Sequence, residues 1–320
     1  MTKLRAAVIG VGYLGNFHVQ KYLALPQVEV IGVIDTDPAR AAEIGARYGI
    51  PVFPDLASLV GRVDLVSIVT PPPTHFATAK ACLEADVHVL VEKPVTQTVI
   101  EAQQLIELAR ARHRVFQVGH LERFNPAVLA IRKLLSKPRR IEAQRLSKYM
   151  KRGTDVDVVL DLMIHDIDIV ASMVDSPVRE IYASGATVVT GDLDIAYATL
   201  TFANGCVAEL AASRVNREPV RMMSVYQVDS YILADYLNHS LSVGQIDNQG
   251  HKGLPRDVNS ETQELIRTDV LMDEITSFVQ AIRGGIAPAV SGEDGKRALE
   301  IAVEISSQAR RRQATRATSA

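Results

Sequence analysis

A glycine-rich segment near the start of the chain has residue types and spacing that suit phosphate binding. Gly10, Gly12 and Gly15 follow a short apolar run and precede a stretch with helical spacing of apolar residues. At a strand–helix junction the first glycine permits a tight turn, the second lets the backbone approach a pyrophosphate, and the third lets helix and strand pack closely. The first N–H groups of the helix then bind the phosphates. We therefore predict that this segment, with Tyr13 and Leu14, binds a dinucleotide.

An acidic residue stands where a dinucleotide site needs one. Asp35 lies 20 residues past Gly15, at the end of a second predicted strand. A carboxylate at this point accepts hydrogen bonds from both hydroxyls of the adenosine ribose. Thr36 and Asp37 follow it without an arginine for a 2′-phosphate, so NAD is favoured over NADP. The alternative is that Asp35 only caps the next helix, although Asp37 suits that cap better.

A proline-rich loop follows the third predicted strand, Leu65 to Val69. It comprises Thr70, Pro71, Pro72 and Pro73, and His75 lies in the first turn of the next predicted helix. In open α/β sheets ligands bind at the carboxyl ends of the strands. We therefore predict that the loop and His75 flank the cofactor. The alternative is a rigid strand exit in which His75 has a structural role.

Glu92, Lys93 and Pro94 follow the fourth predicted strand, again at its carboxyl end. Glu92 and Lys93 are therefore expected beside the cofactor. By itself, a lysine at the end of a strand is more often a solvated surface charge.

Together, the Gly10 loop, Asp35, the proline loop and the Glu92-Lys93-Pro94 motif resemble the Gfo/Idh/MocA oxidoreductase family, which includes glucose-fructose oxidoreductase and inositol dehydrogenase. The resemblance implies that Lys93 lies in the active site. The family also has a D-x-x-x-H motif at the start of a helix in its second domain, which Asp161 and His165 match. Four residues apart on a helix, these side chains share one face.

The resemblance makes His165 the candidate general acid or base. An imidazole with an ordinary pKa near ~6.5 can accept the proton of an alcohol while hydride leaves the same carbon. Lys93 would stabilise the developing alkoxide, and Asp161 would orient the imidazole or hold a neighbouring hydroxyl. The alternative is that His165 is a core histidine of an apolar helix. Asp157 and Asp168 extend the acidic face, but no second histidine stands at zinc-ligand spacing, so we expect no metal.

Within the family, the E-R-F-N-P-A stretch at 122–127 and the D-L-M-I-H-D segment at 161–166 resemble most the branch that oxidises UDP-N-acetylglucosamine at C3, ahead of an aminotransferase in lipid A or surface-sugar synthesis. Such a substrate carries two phosphates, so cations should face it. The candidate substrate contacts are therefore Lys93, Asp161 and His165, together with Arg123, Asn125, Lys148, Lys151, Arg152, Arg214, Arg217 and Arg221. Family glycines near the D-x-x-x-H motif are replaced here by Val158, Val159 and Met163, which alters the expected shape of the pocket.

The elements that must position these residues alternate in residues 1–120. Short β-branched runs alternate with helical patterns, which predicts βαβ units and a doubly wound parallel sheet, the Rossmann fold. The predicted strands are Ala6–Ile9, Val28–Ile34, Leu65–Val69, His88–Val91 and Val115–Val118, and the predicted helices are Tyr13–Leu25, Ala39–Tyr48, Thr74–Ala85 and Val95–Arg112.

Residues 121–320 have a different pattern. Between Ile141 and Tyr236 alternating strand-like segments dominate, interrupted by one helical stretch, Asp157–Val174. We predict an α+β domain with a large, mostly antiparallel open sheet. His239–Glu261 is predicted to be a hairpin or loop, and two closing helices are expected at 270–283 and 292–312. Such a sheet leaves one face for a second copy of the chain, so a homodimer or homotetramer is expected.

Composition narrows the classes of function. The chain has 35 Lys+Arg against 37 Asp+Glu, which leaves no overall field to attract nucleic acid or an anionic membrane. Its two cysteines lack CxxC spacing, which argues against a disulfide framework and favours a reducing compartment. No apolar run reaches the ~18 residues that a membrane span needs. We therefore expect a cytoplasmic protein.

The leading hypothesis is NAD-dependent hydride transfer to or from a secondary alcohol of a nucleotide sugar. One alternative is an inositol or free-sugar dehydrogenase, which would not need the basic cluster. Another is a non-catalytic NAD-sensing regulator. That hypothesis predicts loss of the Lys93 and His165 pair, and both residues are present.

Overall fold

The structure, a computed structural model, describes residues 2–150, 156–246 and 258–318. It forms two compact units. The first comprises Met1–Leu121 and Asp269–Leu299, and the second comprises Glu122–Thr268 and Glu300–Ala320. The sequence placed a boundary near 120 but assigned everything after it to the second domain. The return of 269–299 to the first unit differs from that prediction, because helical periodicity does not say which sheet a helix packs on.

The first unit contains a parallel sheet of five strands in the order β2-β1-β3-β4-β5. Its strands begin and end within two residues of the predicted ones: β1 (Leu4–Ile9), β2 (Val28–Ile34), β3 (Leu65–Ile68), β4 (His88–Glu92) and β5 (Phe116–Gly119). Every residue of β3 and β5 is buried, as is typical of strands covered on both faces. The predicted doubly wound fold is confirmed. The order of strands reverses between β1 and β3, which is where such sheets bind ligands.

Helices cover this sheet: α1 (Tyr13–Ala24), α2 (Pro38–Tyr48), α3 (His75–Glu84), α4 (Val99–Ala111), α7 (Val270–Gly284) and the first turns of α8 (Gly292–Thr318). The start of α4 lies four residues later than predicted. Thr98 and Glu101 explain the difference: Thr98 Oγ1 accepts from Glu101 N, and the Glu101 carboxylate accepts from Thr98 N. This capping box fixes the first turn.

The second unit contains a sheet of eight strands in the order β13-β12-β11-β10-β6-β9-β8-β7. All neighbouring pairs are antiparallel except β6 and β9, which confirms the predicted mostly antiparallel sheet. The strands are β6 (Arg140–Leu146), β7 (Val178–Ala186), β8 (Ile195–Phe202), β9 (Val207–Ser213), β10 (Val220–Tyr226), β11 (Ser230–Asp235), β12 (Ser240–Ile246) and β13 (Val258–Glu264). The antiparallel pair β12–β13 makes the predicted 239–261 region a hairpin, and 247–257 lie outside the described residues.

One face of the large sheet is covered by helices, as predicted. α5 (Pro126–Leu134) packs against β11 and β12, and α6 (Ile164–Met173) packs against β6 and β9. Along β8 the alanines at 196 and 198 are buried, whereas Tyr197 between them is 58% exposed. The period of two therefore gives the sheet a core face and an exposed face.

The last helix, α8, also covers the edge strand β7. Gln308 Nε2 donates to Ile181 O at 2.9 Å, and Gln308 Oε1 accepts from Ala183 N at 3.2 Å. A side-chain amide thus satisfies backbone groups that an edge strand would leave open. Within the described ranges, no helix has the length and apolar character needed to cross a bilayer.

Candidate active site

The glycine loop between β1 and α1 is tightly packed on one side and open on the other. Gly10 has φ +84°, and a Cβ on it would lie 2.6 Å from Val69 O. A Cβ on Gly15 would lie 1.9 Å from Gly10 O, whereas one on Gly12 would meet nothing within 4 Å. Only glycine suits positions 10 and 15. The exposed backbone at Gly12 leaves the N-terminus of α1 open to a phosphate group.

Asp35 stands at the end of β2 and faces this loop. Its Oδ2 accepts from Val11 N at 2.7 Å, and its Oδ1 accepts from Asp37 N at 2.9 Å. The side chain of Asp37 caps α2 by accepting from Ala39 N, so Asp35 is not that cap. Because a carboxylate has about four lone-pair positions, the half-buried Asp35 retains capacity to accept from a ribose.

Arg40, in the first turn of α2, was missed by the sequence interpretation. Its Nε donates to Val11 O at 2.8 Å, its Nη2 to Gly12 O at 3.3 Å, and its Nη1 to Glu43 at 2.6 Å. The guanidinium therefore holds the glycine loop against α2. Its position five residues after Asp35, in the first turn of the predicted helix, could have identified it as a neighbour of the glycine loop.

His75 ties two of the candidate loops together. Its Nδ1 lies 2.8 Å from Pro94 O, and its Nε2 lies 2.8 Å from Thr70 O. The imidazole has no exposed surface. The expected cofactor contact of His75 is therefore corrected to a positioning role. Thr70, Pro71 and the 3₁₀ turn from Pro72 to Thr74 keep exposed surface beside the glycine loop.

Lys93 follows β4 and is half-buried, with a cis peptide bond to Pro94. Its backbone N donates to Glu92 Oε2 at 3.3 Å. Glu92 itself is only 6% exposed and lies with its Oε1 3.3 Å from His18 Nε2. The carboxylate of Glu92 is therefore buried behind the Lys93 loop, and the expected contact of this residue with the cofactor stays a prediction.

The D-x-x-x-H motif spans a change in helix type in the second unit. Asp161 lies in a π-helical turn, Val159–Met163, and His165 is the second residue of α6. The predicted helical stretch Asp157–Val174 thus begins with a π-helical turn, and such wider turns often occur at functional sites. Asp161 and His165 are half-buried, whereas Asp166 beside them is buried.

Asp157 begins this helical segment. Its Oδ1 accepts from Val159 N and Leu160 N, each at 3.0 Å, and its Oδ2 accepts from Arg310 at 2.7 Å. Asp157 is therefore an N-cap held by an ion pair. Across the described ranges, no group of three or more His, Cys, Asp or Glu side chains is arranged to hold a metal.

Two buried arginines hold α6 through aspartates that follow His165. Arg145 on β6 donates from Nε and Nη2 to Asp166 at 3.0 and 2.9 Å, and from Nη1 to Glu122 at 3.0 Å. Arg123 donates from Nε and Nη2 to Asp168 at 2.5 and 2.7 Å. These bidentate pairs fix the rotation of the helix that carries His165.

Burial and ion pairing compete in setting the pKa values of Arg145, Glu122 and Asp166. Burial alone would lower the pKa of Arg145, but the carboxylates of Asp166 and Glu122 outweigh burial and raise the pKa above its usual range. Burial alone would raise the pKa of Glu122, but Arg145 and Asn125 lower it below its usual value. For Asp166, by contrast, burial outweighs the attraction of Arg145 and raises the pKa of the carboxyl above its usual value.

Comparisons with known proteins agree with the geometry. A family model described as "Oxidoreductase family, NAD-binding Rossmann fold" matches residues 4–120, and one described as "GFO/IDH/MocA C-terminal domain" matches residues 128–227. The chain belongs to the Gfo/Idh/MocA oxidoreductase family. The family membership that its motifs predicted is thereby confirmed, and so is the prediction that the protein is an enzyme.

Relatives of this Gfo/Idh/MocA protein include a UDP-N-acetylglucosamine 3-dehydrogenase from Acidithiobacillus ferrooxidans, 41% identical over 306 residues that cover 95% of this chain and 97% of the relative. A solved structure of that enzyme matches with a TM-score of 0.90 over 96% of this chain and 98% of the other. A myo-inositol 2-dehydrogenase from Thermotoga maritima is 26% identical over 92% of this chain and 93% of the relative.

Several residues of this Gfo/Idh/MocA enzyme that were expected to contact the substrate have hydrogen-bond partners within the second unit. Arg123 is engaged with Asp168, and Asn125 caps α5 by accepting from Ala127 N at 2.9 Å. Arg214 is 4% exposed and donates to Val156 O at 2.7 Å. Each of these side chains already has partners inside the second unit, and its contact with the substrate stays a prediction.

The remaining cations differ in exposure. Lys148 is exposed and lies 3.1 Å from Glu218, Arg217 is exposed, and Arg221 is 46% exposed and 3.9 Å from Glu122. Lys151 and Arg152 lie outside the described residues. Among the described cations predicted for the substrate, Lys148, Arg217 and Arg221 thus keep surface for a ligand.

Proposed function

We propose that this Gfo/Idh/MocA enzyme is an NAD-dependent dehydrogenase that transfers hydride between the cofactor and a secondary alcohol of a nucleotide sugar, with C3 of UDP-N-acetylglucosamine as the reacting position. The observation that carries the proposal is the 41% identity to a UDP-N-acetylglucosamine 3-dehydrogenase over 95% of the chain. The inositol dehydrogenase relative is more distant, at 26% identity.

The residues present fit a dinucleotide. The open backbone at Gly12 suits a pyrophosphate, and the carboxylate of Asp35 suits the ribose hydroxyls. NAD supplies the hydride acceptor or donor when it is bound. A 2′-phosphate beside Asp35 and Asp37 would be repelled by both carboxylates, and the guanidinium of Arg40 is already shared among Val11, Gly12 and Glu43. These features support NAD over NADP.

The chemistry assigned to the protein is proton transfer and charge stabilisation. His165 accepts the proton of the reacting hydroxyl as hydride leaves the same carbon, and returns it in the reverse direction. The ammonium of Lys93 stabilises the negative charge that develops on the oxygen. Asp161 orients the imidazole or binds an adjacent hydroxyl. Partial exposure of all three side chains is consistent with these roles.

A ketone at C3 of an amino sugar is the substrate class of an aminotransferase. We therefore propose that an aminotransferase consumes the product, in the synthesis of a diamino sugar for lipid A or surface polysaccharide. We also propose that the enzyme is a cytoplasmic homodimer or homotetramer whose subunits pair through the exposed face of the eight-stranded sheet. Tyr182 and Tyr197 on that face are 56% and 58% exposed, and aromatic side chains of this kind are enriched at interfaces.

The function is tested by a thermal-shift screen of the full chain with NADH, comparing UDP-N-acetylglucosamine, UDP, glucose and myo-inositol. We expect UDP-N-acetylglucosamine to raise the melting temperature most, and turnover with NAD to give a keto sugar two mass units lighter. Equal protection by myo-inositol, with turnover, would instead identify a free-sugar dehydrogenase. NADH binding without turnover of any alcohol would identify a regulator.

A further inference from the structure

A group of buried polar side chains lies behind the Lys93 loop in the first unit. Glu92 ends β4, His18 lies on α1, and Glu274 lies on α7. His18 and Glu274 have no exposed surface, and Glu92 is 6% exposed. Charged and titratable groups are rarely buried this deeply unless they are paired. Their burial therefore needs a physical account.

Glu92 is the member that faces hydrogen-bond donors. His18 Nε2 lies 3.3 Å from Glu92 Oε1, and Lys93 N donates to Glu92 Oε2 at 3.3 Å. A Cβ on Gly119 would come within 2.8 Å of Glu92 Oε1, so the carboxylate packs directly on the neighbouring strand. Glu92 therefore has a hydrogen-bond donor on Oε2, whereas His18 Nε2 lies near Oε1 without the geometry of a hydrogen bond.

Glu274 has the opposite surroundings. Among the residues that the structure describes, neither of its carboxyl oxygens has a hydrogen-bond partner. Burial and the charge of Glu92 raise the pKa of Glu274 well above its usual value of 4.5. Two carboxylates in one dry site cannot both ionise at low cost, so one proton remains in the pair.

Titratable groups approach Glu274 from two elements. His18 and Tyr22 lie on α1, and Glu92 lies on β4. From β5 the neutral amide of Gln117 donates to Glu274 O at 3.3 Å. The Tyr22 hydroxyl is bonded to Ser67 at 2.8 Å, and burial raises the pKa of Tyr22, so this group stays neutral.

We propose that His18, Glu92 and Glu274 form a proton-holding cluster in which Glu274 is a neutral acid and Glu92 positions Lys93 for its reaction. The cluster residues are positioning residues, because they act through the backbone of Lys93. The role assigned to Lys93 rests on the proposed function. The protonation of Glu274 does not.

Loss of the proton from Glu274 to solvent would change the site. A negative charge would appear beside the carboxyl group of Glu92 where little water screens it, and repulsion between the oxygens would separate the two groups. The hydrogen bond from Lys93 N to Glu92 would then lengthen. The enzyme should therefore lose turnover at alkaline pH for a reason that lies outside the groups that touch substrate.

Infrared spectroscopy of the full chain, labelled with ¹³C-glutamate, tests the proton directly. We expect a protonated carboxyl band at pH 7 in the wild type and in Asp273→Asn, and its loss in Glu274→Gln. Asp273 is the exposed neighbour of Glu274 on α7. A wild-type spectrum without the band at pH 7 overturns the proposal, and this reading does not depend on any variant folding.

Unfolding by urea provides a second test. Because the pKa of Glu274 is raised in the folded protein, its contribution to stability is present below 4.5 and is lost as pH rises above that value. Glu274→Gln cannot ionise, so its stability relative to the wild type should increase steadily from pH 5 to pH 9. If stability changed with pH in parallel for the two proteins, Glu274 would already be charged, and the proposed cluster would be contradicted.

The positioning role is tested by the pH dependence of kcat. Glu274→Gln should move the alkaline limb of the wild-type profile upward by about one pH unit, while the KM for the sugar changes less than about twofold. The Asp273→Asn profile should superimpose on the wild type. If the alkaline limb of Glu274→Gln lay at the same pH as that of the wild type, the positioning role would be contradicted. If the enzyme turns over no sugar at all, the proposed function fails, and the infrared and urea results still decide the protonation.

Discussion

Arg145 donates two hydrogen bonds to Asp166, at 3.0 and 2.9 Å, and Asp166 is the residue next to His165. The imidazole of His165 therefore projects from a helix whose rotation is fixed by a buried ion pair. A helix held in this way can keep a proton acceptor in one orientation through each turnover, because the bidentate geometry allows only one arrangement of the two planar groups.

Arg145→Ala should destabilise the second unit by about 3–5 kcal/mol, because it leaves Asp166 and Glu122 buried without their cation. Urea unfolding at pH 7 measures the loss. Arg140→Ala is the matched control: Arg140 lies on the same strand but is exposed, where its pairs with Glu142 and Glu209 contribute little. Equal losses of stability in both variants would contradict the role of Arg145 as the buried cation that pairs with Asp166 and Glu122.

Lys93→Ala and His165→Ala should each lower kcat by about 10²–10⁴-fold, because each removes a group assigned to proton transfer or to charge stabilisation. NADH affinity, measured by fluorescence titration, should change much less than kcat. Lys80→Ala, at an exposed position of α3, is the control and should leave turnover unchanged. A variant at 93 or 165 with wild-type kcat would refute the role assigned to that residue.

NADH should bind the wild type at least about tenfold more tightly than NADPH, because Asp35 accepts from the ribose and repels a 2′-phosphate. Calorimetry with both cofactors gives the ratio. Asp35→Asn should reduce the ratio, since the amide keeps an acceptor for Val11 N but loses the charge. Asp37→Asn keeps the α2 cap and should preserve most of the preference. Equal affinity of the wild type for both cofactors would exclude the assignment of Asp35.

The fold was predictable because its signals are local. The first strands are apolar runs that are buried on both faces, and the turns of the glycine loop need residues without a Cβ. The return of Asp269–Leu299 to the first unit was not predictable. It depends on contacts between segments far apart in sequence, such as the packing of Phe278 with Tyr22 in one core.

The candidate site was predicted less completely, because residue type does not reveal whether a charge already has a partner. Arg123 and Arg214 were grouped with the ligand cations, yet both are buried in ion pairs or backbone contacts. Arg145 carried a usable signal that was missed. It follows Ile141 and Ala143 at a spacing of two in β6, so the pattern places it on the core face, where a guanidinium requires carboxylates.

A buried carboxylate in the second unit provides a separate test of acid stability. Asp194 Oδ2 accepts from three successive backbone N–H groups, those of Val188, Val189 and Thr190, at 2.7, 2.6 and 2.9 Å. Thr190 Oγ1 donates to its Oδ1 at 2.7 Å. Burial alone would raise the pKa of Asp194, but these donors outweigh burial and lower the pKa to about 2.

Asp194 therefore stabilises the folded state above its usual pKa of 3.8, and this stabilisation is lost as pH falls toward about 2. Asp194→Asn should cost at least about 2 kcal/mol at pH 7, since one pKa unit corresponds to about 1.4 kcal/mol. In urea unfolding the difference between wild type and variant should shrink as pH falls from 5 toward 2. Asp175→Asn, at an exposed position, should show no such trend. A difference independent of pH would mean that Asp194 acts through packing rather than through its charge.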